Sequence, residues 1–476
     1  MIPILSGNVA SALPTGYNVD NSIRFNDGDS AFLSKTFSGA GTRTKYTISV
    51  WVKRAAIGST QCIFSAGTGA NNSMTISFNG ADNRLYWNSY SNDGANYDYF
   101  LNTTRRFRDV SAWYHIVCAF DSTQGTASNR QKMYVNGVQQ DAFEVDTYSG
   151  SYSDYAFNNI LHEIGQDVGA GSRFFDGYMA EFCAIDGLQL APTDFGEYDE
   201  DSPTIWKPKD VSGLTFGTNG FYLDFENSSE LGTDVSGNSN TFTENNLDAT
   251  DQATDTCTNN FCTMNPLQAQ ADDLTFAQGN LKITNTGNAW RSSYGTFGSA
   301  NGKFYFEVKC QASSDYERFG IVDADAMNKQ SADGRYDDVG YNSRGYGYGS
   351  DGEKTNNGGS PSWGNAWGAG DILGCAFDLT NGKLYFSKNG TFQESGDPTS
   401  GSTGTGSAYD IDTGYVYIPA LAHYGSGSSM EFNFGGCPSF SISSGNADAN
   451  GYGNFEYAPP TGYYALCTKN LAEYGG

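Results

Sequence analysis

At 476 residues the chain can hold two or three domains with cores of their own. It carries 53 acidic against 27 basic residues, a formal charge of −26, which makes nucleic acid and anionic membrane surfaces poor partners: phosphate binding takes clustered Lys and Arg that displace counterions. The acidity reads as solubility, or as carboxylates available for Ca²⁺ or for a salty medium. In chain order, residues 1–17 are small and polar with two prolines and predict an N-terminal arm. Met1–Gly7 has no basic leader region, so no signal peptide is expected, and no apolar run of about 18 residues predicts a membrane-spanning helix. Alternating strand signals then run through Ser22–Phe25, Tyr46–Val52, Gln61–Phe64, Met74–Phe78, Arg84–Trp87, Trp113–Phe120 and Lys132–Val138, closing at Asp176–Ile185. Residues 191–270, with prolines, the acidic run Glu197–Asp201 and then many Asn, Asp, Ser and Thr, predict a linker and connecting segment around one isolated strand, Phe221–Phe225. A second set of strands spans 271–437, including Lys303–Lys309, Phe319–Val322, Ile372–Leu379, Lys383–Ser387, Val416–Ile418 and Met430–Phe434. Residues 438–476 form a tail that packs back, with Tyr463–Leu466 a candidate partner for the strand at 221–225.

Glycine is high at 59 residues and Tyr and Phe stand at 31 each, a composition of tight turns between aromatic strands. The predicted fold class is all-β: two tandem antiparallel β-sandwiches, 18–190 and 271–437, with an extended linker and tail. Two stretches echo one another. Cys118-Ala-Phe-Asp121 is followed by Lys132–Val135 and Asn136-Gly137; Cys375-Ala-Phe-Asp378 is followed by Lys383–Lys388 and Asn389-Gly390. Asn-Gly favours the type I′ hairpin turn, whose two central residues both need φ > 0.

Nine cysteines cannot all pair. Cys62, Cys118, Cys183, Cys310 and Cys375 sit in apolar runs and read as small buried hydrophobes, consistent with a reducing cytoplasm. Cys257 and Cys262 form one Cys-x₄-Cys without a second pair, a weak zinc signal, and His115, His162 and His423 lack metal-ligand spacing. Ca²⁺ has the better candidate: Asp234, Asn238 and Asn240, oxygen-bearing side chains in a Ser-Gly turn, against which stands a plain Asx-turn. No other cofactor is expected. The sequence has no Gly-x-Ser-x-Gly elbow, no phosphate-binding Gly-x₄-Gly-Lys-[Ser/Thr] and no strand with Glu-x-Asp-x-x-Glu, so no enzyme is expected. For ligand binding, Tyr336, Tyr341, Tyr346, Tyr348, Trp363 and Trp367 cluster in a glycine-rich stretch with Asp337, Asp338 and Asp351 interleaved. Tyr346 and Trp367 read as core. Tyr341, Tyr348, Asp351 and Trp363 are the candidate binding residues, since aromatic faces stack on sugars and carboxylates accept hydroxyl protons.

Thr47–Arg54, Trp113–Val117, Lys132–Val138 and Phe175–Glu181 resemble the laminin-G-like branch of the concanavalin A-like jelly rolls. Gly302–Val308, Tyr346–Lys354, Gly370–Asp378 with Leu384–Gly390, and Tyr417–Leu421 resemble a SPRY domain. With Ile205–Lys209, Phe221–Phe225 and Asp234–Asn240 between them, the whole is similar to virion proteins of tailed bacteriophages of marine bacteria. That resemblance implies a structural protein of the virion, assembled in the host cytoplasm: a tail fibre or adhesin that binds a host surface glycan or protein. The alternative it leaves is a decoration or head-fibre protein on the capsid exterior, and a third reading is a polysaccharide-degrading enzyme. The implied partners are other virion proteins and further copies in a symmetric homo-oligomer, a trimer for instance.

Overall fold

The computed structural model describes residues 16–91, 97–150, 152–268, 273–314, 316–327 and 338–475, together with the backbone of Ile4–Leu5. Most of the predicted arm, and Tyr336 and Asp337 with the side chain of Asp338, lie outside the described residues. The chain forms two compact units, Pro14–Thr258 and a second made of 1–13 with Asn259–Gly476. Each is a pair of facing sheets, and helix among the described residues is confined to short pieces such as Asp338–Tyr341 and Thr468–Tyr474.

In the first unit one sheet runs in the order Val138–Gln139, Gln131–Val135, Trp113–Asp121, Lys45–Arg54, Gly177–Asp186, Ser22–Phe25, Gln252–Ala253. The other runs Phe143–Thr147, Tyr97–Arg106, Arg84–Tyr90, Asn72–Phe78, Gln61–Gly69, Leu161–Ile164, Phe32–Thr36, Thr243–Asn245. Alternation builds the core between them: Ile48, Val50 and Val52 face Ile76, Phe78, Leu85, Trp87 and Leu101, all buried. Asp154, fully buried, accepts hydroxyl bonds from Tyr46 (2.5 Å) and Tyr99 (2.6 Å), so its burial is compensated. The closing strand Gly177–Asp186 bulges between Ala180 and Cys183. There Glu181 takes φ 52°, and its carboxylate accepts the Tyr222 hydroxyl at 2.8 Å.

The stretch that composition marks as linker does not behave as one up to residue 258. Phe221–Leu223 pairs with Phe182–Ala184, Thr243–Asn245 with Phe32–Ser34, and Gln252–Ala253 with Ser22–Ile23. Lys53 and Asp255 form an ion pair at 2.7 Å with side chains only 1% and 2% exposed, and the Trp113 indole N–H donates to the same carboxylate at 3.1 Å. The strands involved are two or three residues long, and Asx-turns and caps hold the rest, so periodicity never shows them.

In the second unit the larger sheet runs Leu274–Ala277, Lys282–Asn285, Ser429–Asn433, Lys303–Ala312, Ile372–Asp378, Lys383–Lys388, Thr391–Phe392. The smaller runs Arg291–Tyr294, Tyr417–Tyr424, Tyr316–Asp323, Gly345–Gly349, Lys354–Thr355. The tail packs on the larger sheet, but not through the strand expected for it: Tyr464–Ala465 pairs in parallel with Phe304–Tyr305. Phe455, Tyr463, Ala465 and Cys467 there bury Tyr305, Ala376 and Tyr385. Glu307 fastens the tail by accepting the backbone N–H groups of Glu456 (2.9 Å) and Tyr457 (2.8 Å).

Both echoed hairpins are real. Asn136 and Gly137 have φ 50° and 77°, and Asn389 and Gly390 have φ 47° and 77°, the type I′ signature. All nine cysteines are free thiols, and Cys118 and Cys375 are fully buried as expected of small hydrophobes.

Candidate ligand-binding groove

The strands Asn72–Phe78 and Arg84–Tyr90 bury Met74, Ile76, Phe78, Leu85 and Trp87 on one face. Their other face therefore carries Ser73, Thr75, Tyr86, Asn88 and Tyr90. The loop 165–173 folds over that second face and encloses a cavity of about 390 Å³ that these residues line. Aromatic rings make one wall: Tyr90 and Tyr97 lie 4.2 Å apart between centroids, and Tyr97 and Phe100 4.5 Å. Amides and hydroxyls make the floor, where Thr75 donates to the Asn88 side-chain oxygen.

Arg173 closes the loop side. Its guanidinium is 48% exposed and donates to the buried Asp167 carboxylate at 2.8 Å, and Asp167 also accepts the Gly169 N–H at 2.9 Å. Burial works against the Arg173 charge, but Tyr86 and Asp167 outweigh it and raise its pKa. The residue sits at φ 62°, unusual for a non-glycine, held there by the Cys62 N–H that bonds its carbonyl at 2.9 Å. Below the loop, burial first and then Asp167 push the Glu163 carboxyl up to about 7. Rings for stacking, amides that both donate and accept, and one fixed guanidinium are the groups that hold a polyhydroxylated ring. Asp167 is the one carboxylate among the described residues lining the cavity, and it is engaged by Arg173, whereas glycoside hydrolysis takes two working carboxylates about 5–10 Å apart.

One Ser–His contact could suggest a nucleophile. Ser49 Oγ lies 2.8 Å from Nε2 of His115, whose Nδ1 receives the Trp206 indole N–H at 2.9 Å. Indole nitrogen only donates, so Nδ1 is the unprotonated nitrogen and Nε2 carries the hydrogen. Burial holds this imidazole down at about 3, neutral at ordinary pH. It therefore donates to the serine, the reverse of what a general base does.

Of the residues singled out from sequence, Tyr348 and Trp363 meet ring to ring, with the Tyr348 side of that contact in the core. Gly345–Gly349 lies inside the smaller sheet between two neighbours, and its alternation sends Tyr346 and Tyr348 to the same face. Tyr348 is fully buried, packs on Phe319, Phe386 and Trp367, and donates its hydroxyl to the Asn365 carbonyl; it is core, not a binding residue. The glycines take the opposite face because it is occupied: a Cβ on Gly347 would lie 2.4 Å from Val339 Cγ1. Tyr346 and Trp367 are buried, as their pattern predicts. Trp363 is half-buried with its ring edge-on to Tyr348 at 5.5 Å, Tyr341 is 37% exposed, and Asp351 is exposed and accepts the Glu353 N–H of its own turn at 3.0 Å.

The Asp234 turn takes the Asx form. One Asp234 oxygen accepts the N–H groups of Tyr222 (3.0 Å) and Ser236 (2.9 Å), and the other accepts that of Asn240 (2.7 Å). The Asn238 and Asn240 amides both donate to the Gly220 carbonyl, each at 2.9 Å. These groups meet backbone donors and acceptors instead of converging oxygens on a point. Among the described residues, no group of three or more His, Cys, Asp or Glu has metal-holding geometry. The groove escaped the sequence reading although its signal was present: Ser73-x-Thr75-x-Ser77 and Tyr86-x-Asn88-x-Tyr90 alternate as a polar, aromatic outer face.

The architecture is that of a two-sandwich protein with a polar, aromatic cavity in the first sandwich. Residues 25–187 match the family described as the concanavalin A-like lectin/glucanases superfamily, and residues 303–436 match the SPRY domain. The chain thus carries a concanavalin A-like domain followed by a SPRY domain. It is 28% identical over 182 residues to the ATP-dependent RNA helicase Ddx1 of Drosophila melanogaster, a match that spans 37% of this chain and 20% of the helicase. Among solved structures, the SPRY domain of human HERC1 is similar at 15% identity over 37% of this chain and 99% of that one, with a TM-score of 0.28. A putative carbohydrate binding protein from Bacteroides ovatus is similar at 15% identity over 48% of this chain and 59% of that one, with a TM-score of 0.32. Stonustoxin is similar at 15% identity over 36% of this chain and 27% of that one, with a TM-score of 0.28.

Proposed function

We propose that this chain is a binding protein without catalytic activity, a tail-fibre or adhesin-type component of a phage virion that holds a host surface glycan in the groove of its first unit. The observation that carries the binding reading is the groove itself, with stacked Tyr90, Tyr97 and Phe100 facing Asn88, Thr75 and Arg173. The tautomer of His115 and the engaged Asp167 support a non-enzymatic role. No cofactor is invoked. Virion location, assembly in the host cytoplasm, docking to other virion proteins and homo-oligomerisation rest on the phage-protein resemblance of Ile205–Lys209, Phe221–Phe225 and Asp234–Asn240.

The test is a glycan array probed with the intact chain and with Tyr90→Ala. Binding that Tyr90→Ala lowers by about 5- to 150-fold is expected, since one lost ring stack is worth about 1–3 kcal/mol by analogy with base stacking. A silent array, or one unchanged by Tyr90→Ala, refutes the groove. Immunogold labelling of particles separates tail from capsid exterior, and label on the capsid replaces the tail-fibre reading with decoration. Release of reducing sugar from host envelope overturns the non-enzymatic reading.

A further inference from the structure

The second unit holds a cavity unlike the groove. It measures about 580 Å³ and is lined by Asn288, Trp290, Arg291, Tyr316, Arg318 and Tyr424, with Ala289. In a chain with about twice as many acids as bases, the described residues of this lining include two arginines and no carboxylate. The Arg318 guanidinium lies over the Trp290 ring at 4.6 Å, and Trp290 lies 5.9 Å from Tyr424. Tyr316 stands 51% exposed at the rim. Arg291 is held in place: Nε donates to Asp273 at 2.9 Å, Nη2 to the same oxygen, and Nη1 to the Trp290 carbonyl at 3.0 Å. That engages three of the five guanidinium N–H groups. Asp273, which Arg291 engages, and Glu353, which feels the Arg318 charge, are not among the described residues that line the cavity.

We propose that this cavity is a second saccharide site, selective for a sugar residue that bears a carboxylate. The remaining Arg291 N–H groups would take the carboxylate, a charge-assisted pairing suited to guanidinium. Tyr316 and Tyr424 offer ring faces to the pyranose, and Asn288 offers an amide to its hydroxyls. An extended acidic peptide fits less well. The strand Arg291–Tyr294 is the edge of its sheet, but Asn265 N–H already bonds the Tyr294 carbonyl at 2.8 Å and Met264 bridges Gly295. Strand addition has little free edge left there.

The site is independent of the groove, and the experiment keeps their failures apart. Titration calorimetry of the intact chain compares trigalacturonate with galactotriose, which differ by carboxylate against hydroxymethyl. Trigalacturonate is expected to bind at least tenfold more tightly. Arg291→Gln and Tyr316→Ala should each remove tenfold or more, while Tyr341→Ala, at an exposed residue that lines neither cavity, changes nothing. The proposal is overturned if the two sugars bind alike, if trigalacturonate does not bind, if its binding survives both variants, or if Tyr341→Ala abolishes it. Equal or tighter binding of an acidic Glu-Asp-Tyr peptide, lost in the same variants, overturns the saccharide assignment.

Discussion

Asp255→Ala tests whether residues 191–258 are scaffold or linker. The substitution leaves the Lys53 ammonium 1% exposed and opposite a methyl group, and removes the acceptor of the Trp113 indole. Removing one partner of a buried pair costs about 3–5 kcal/mol, because the other charge stays desolvated. For a unit of this size each kcal/mol lowers the melting temperature by about 2–4 °C, so the first unit should melt roughly 6–20 °C lower. Calorimetry of the full chain reads this as displacement of one transition while the second unit's stays in place. The double variant Lys53→Met/Asp255→Leu should recover most of the loss, since an apolar pair of similar volume replaces a buried ion pair at little cost. A linker position would give a change within about 0.5 kcal/mol. That result, or an uncorrected double variant, would refute the packing argument.

Among the carboxyls that burial raises, Glu163, Glu181 and Glu307 go up to about 7 and Asp176 up to about 8. Their folded values exceed the ordinary ones, so the folded state holds protons the unfolded chain has released. The stability they contribute is full below about pH 4 and lost as pH rises through about 7–8. The melting temperature should therefore fall from pH 5 to pH 8, and Asp176→Asn should flatten that slope; a rise over the same range contradicts the assignment. Tyr348→Ala should cost about 3–5 kcal/mol as a core truncation, whereas Tyr341→Ala should stay within about 0.5 kcal/mol, both read by denaturant midpoint. Asp234→Ala strips an acceptor from three backbone N–H groups and should cost about 1–3 kcal/mol, while Ca²⁺ or EDTA leaves the melt unchanged. A Ca²⁺-dependent shift abolished by Asp234→Ala would restore the metal reading.

The strands with long alternating runs were legible because a single residue type per face reports burial directly. Cys118–Asp121 and Cys375–Asp378 were read correctly down to the turn that follows, since Asn-Gly carries its own conformational preference. The Asp that ends each strand also has a local job. Asp121 accepts the Thr123 N–H at 3.0 Å and Asp378 the Asn381 N–H at 2.8 Å, so the echo arises from the same strand-end chemistry in both sandwiches. In the aromatic-glycine stretch, clustering in sequence is not clustering on a surface. In a strand between two neighbours, Tyr348 and the glycines beside it simply occupy opposite faces.

Composition and periodicity by themselves determined the fold class, the two sandwiches, the buried thiols and the hairpin turns. Each depends on local backbone preference or on one-dimensional alternation. Tertiary structure alone decided that residues 221–255 belong to the first sandwich, that His115 donates to Ser49, and that Tyr90, Asn88 and Arg173 share one cavity. These depend on which residue stands opposite which between strands far apart in the chain, as Ala253 stands opposite Ser22. No local pattern encodes that partner; the closing of the sheets supplies it.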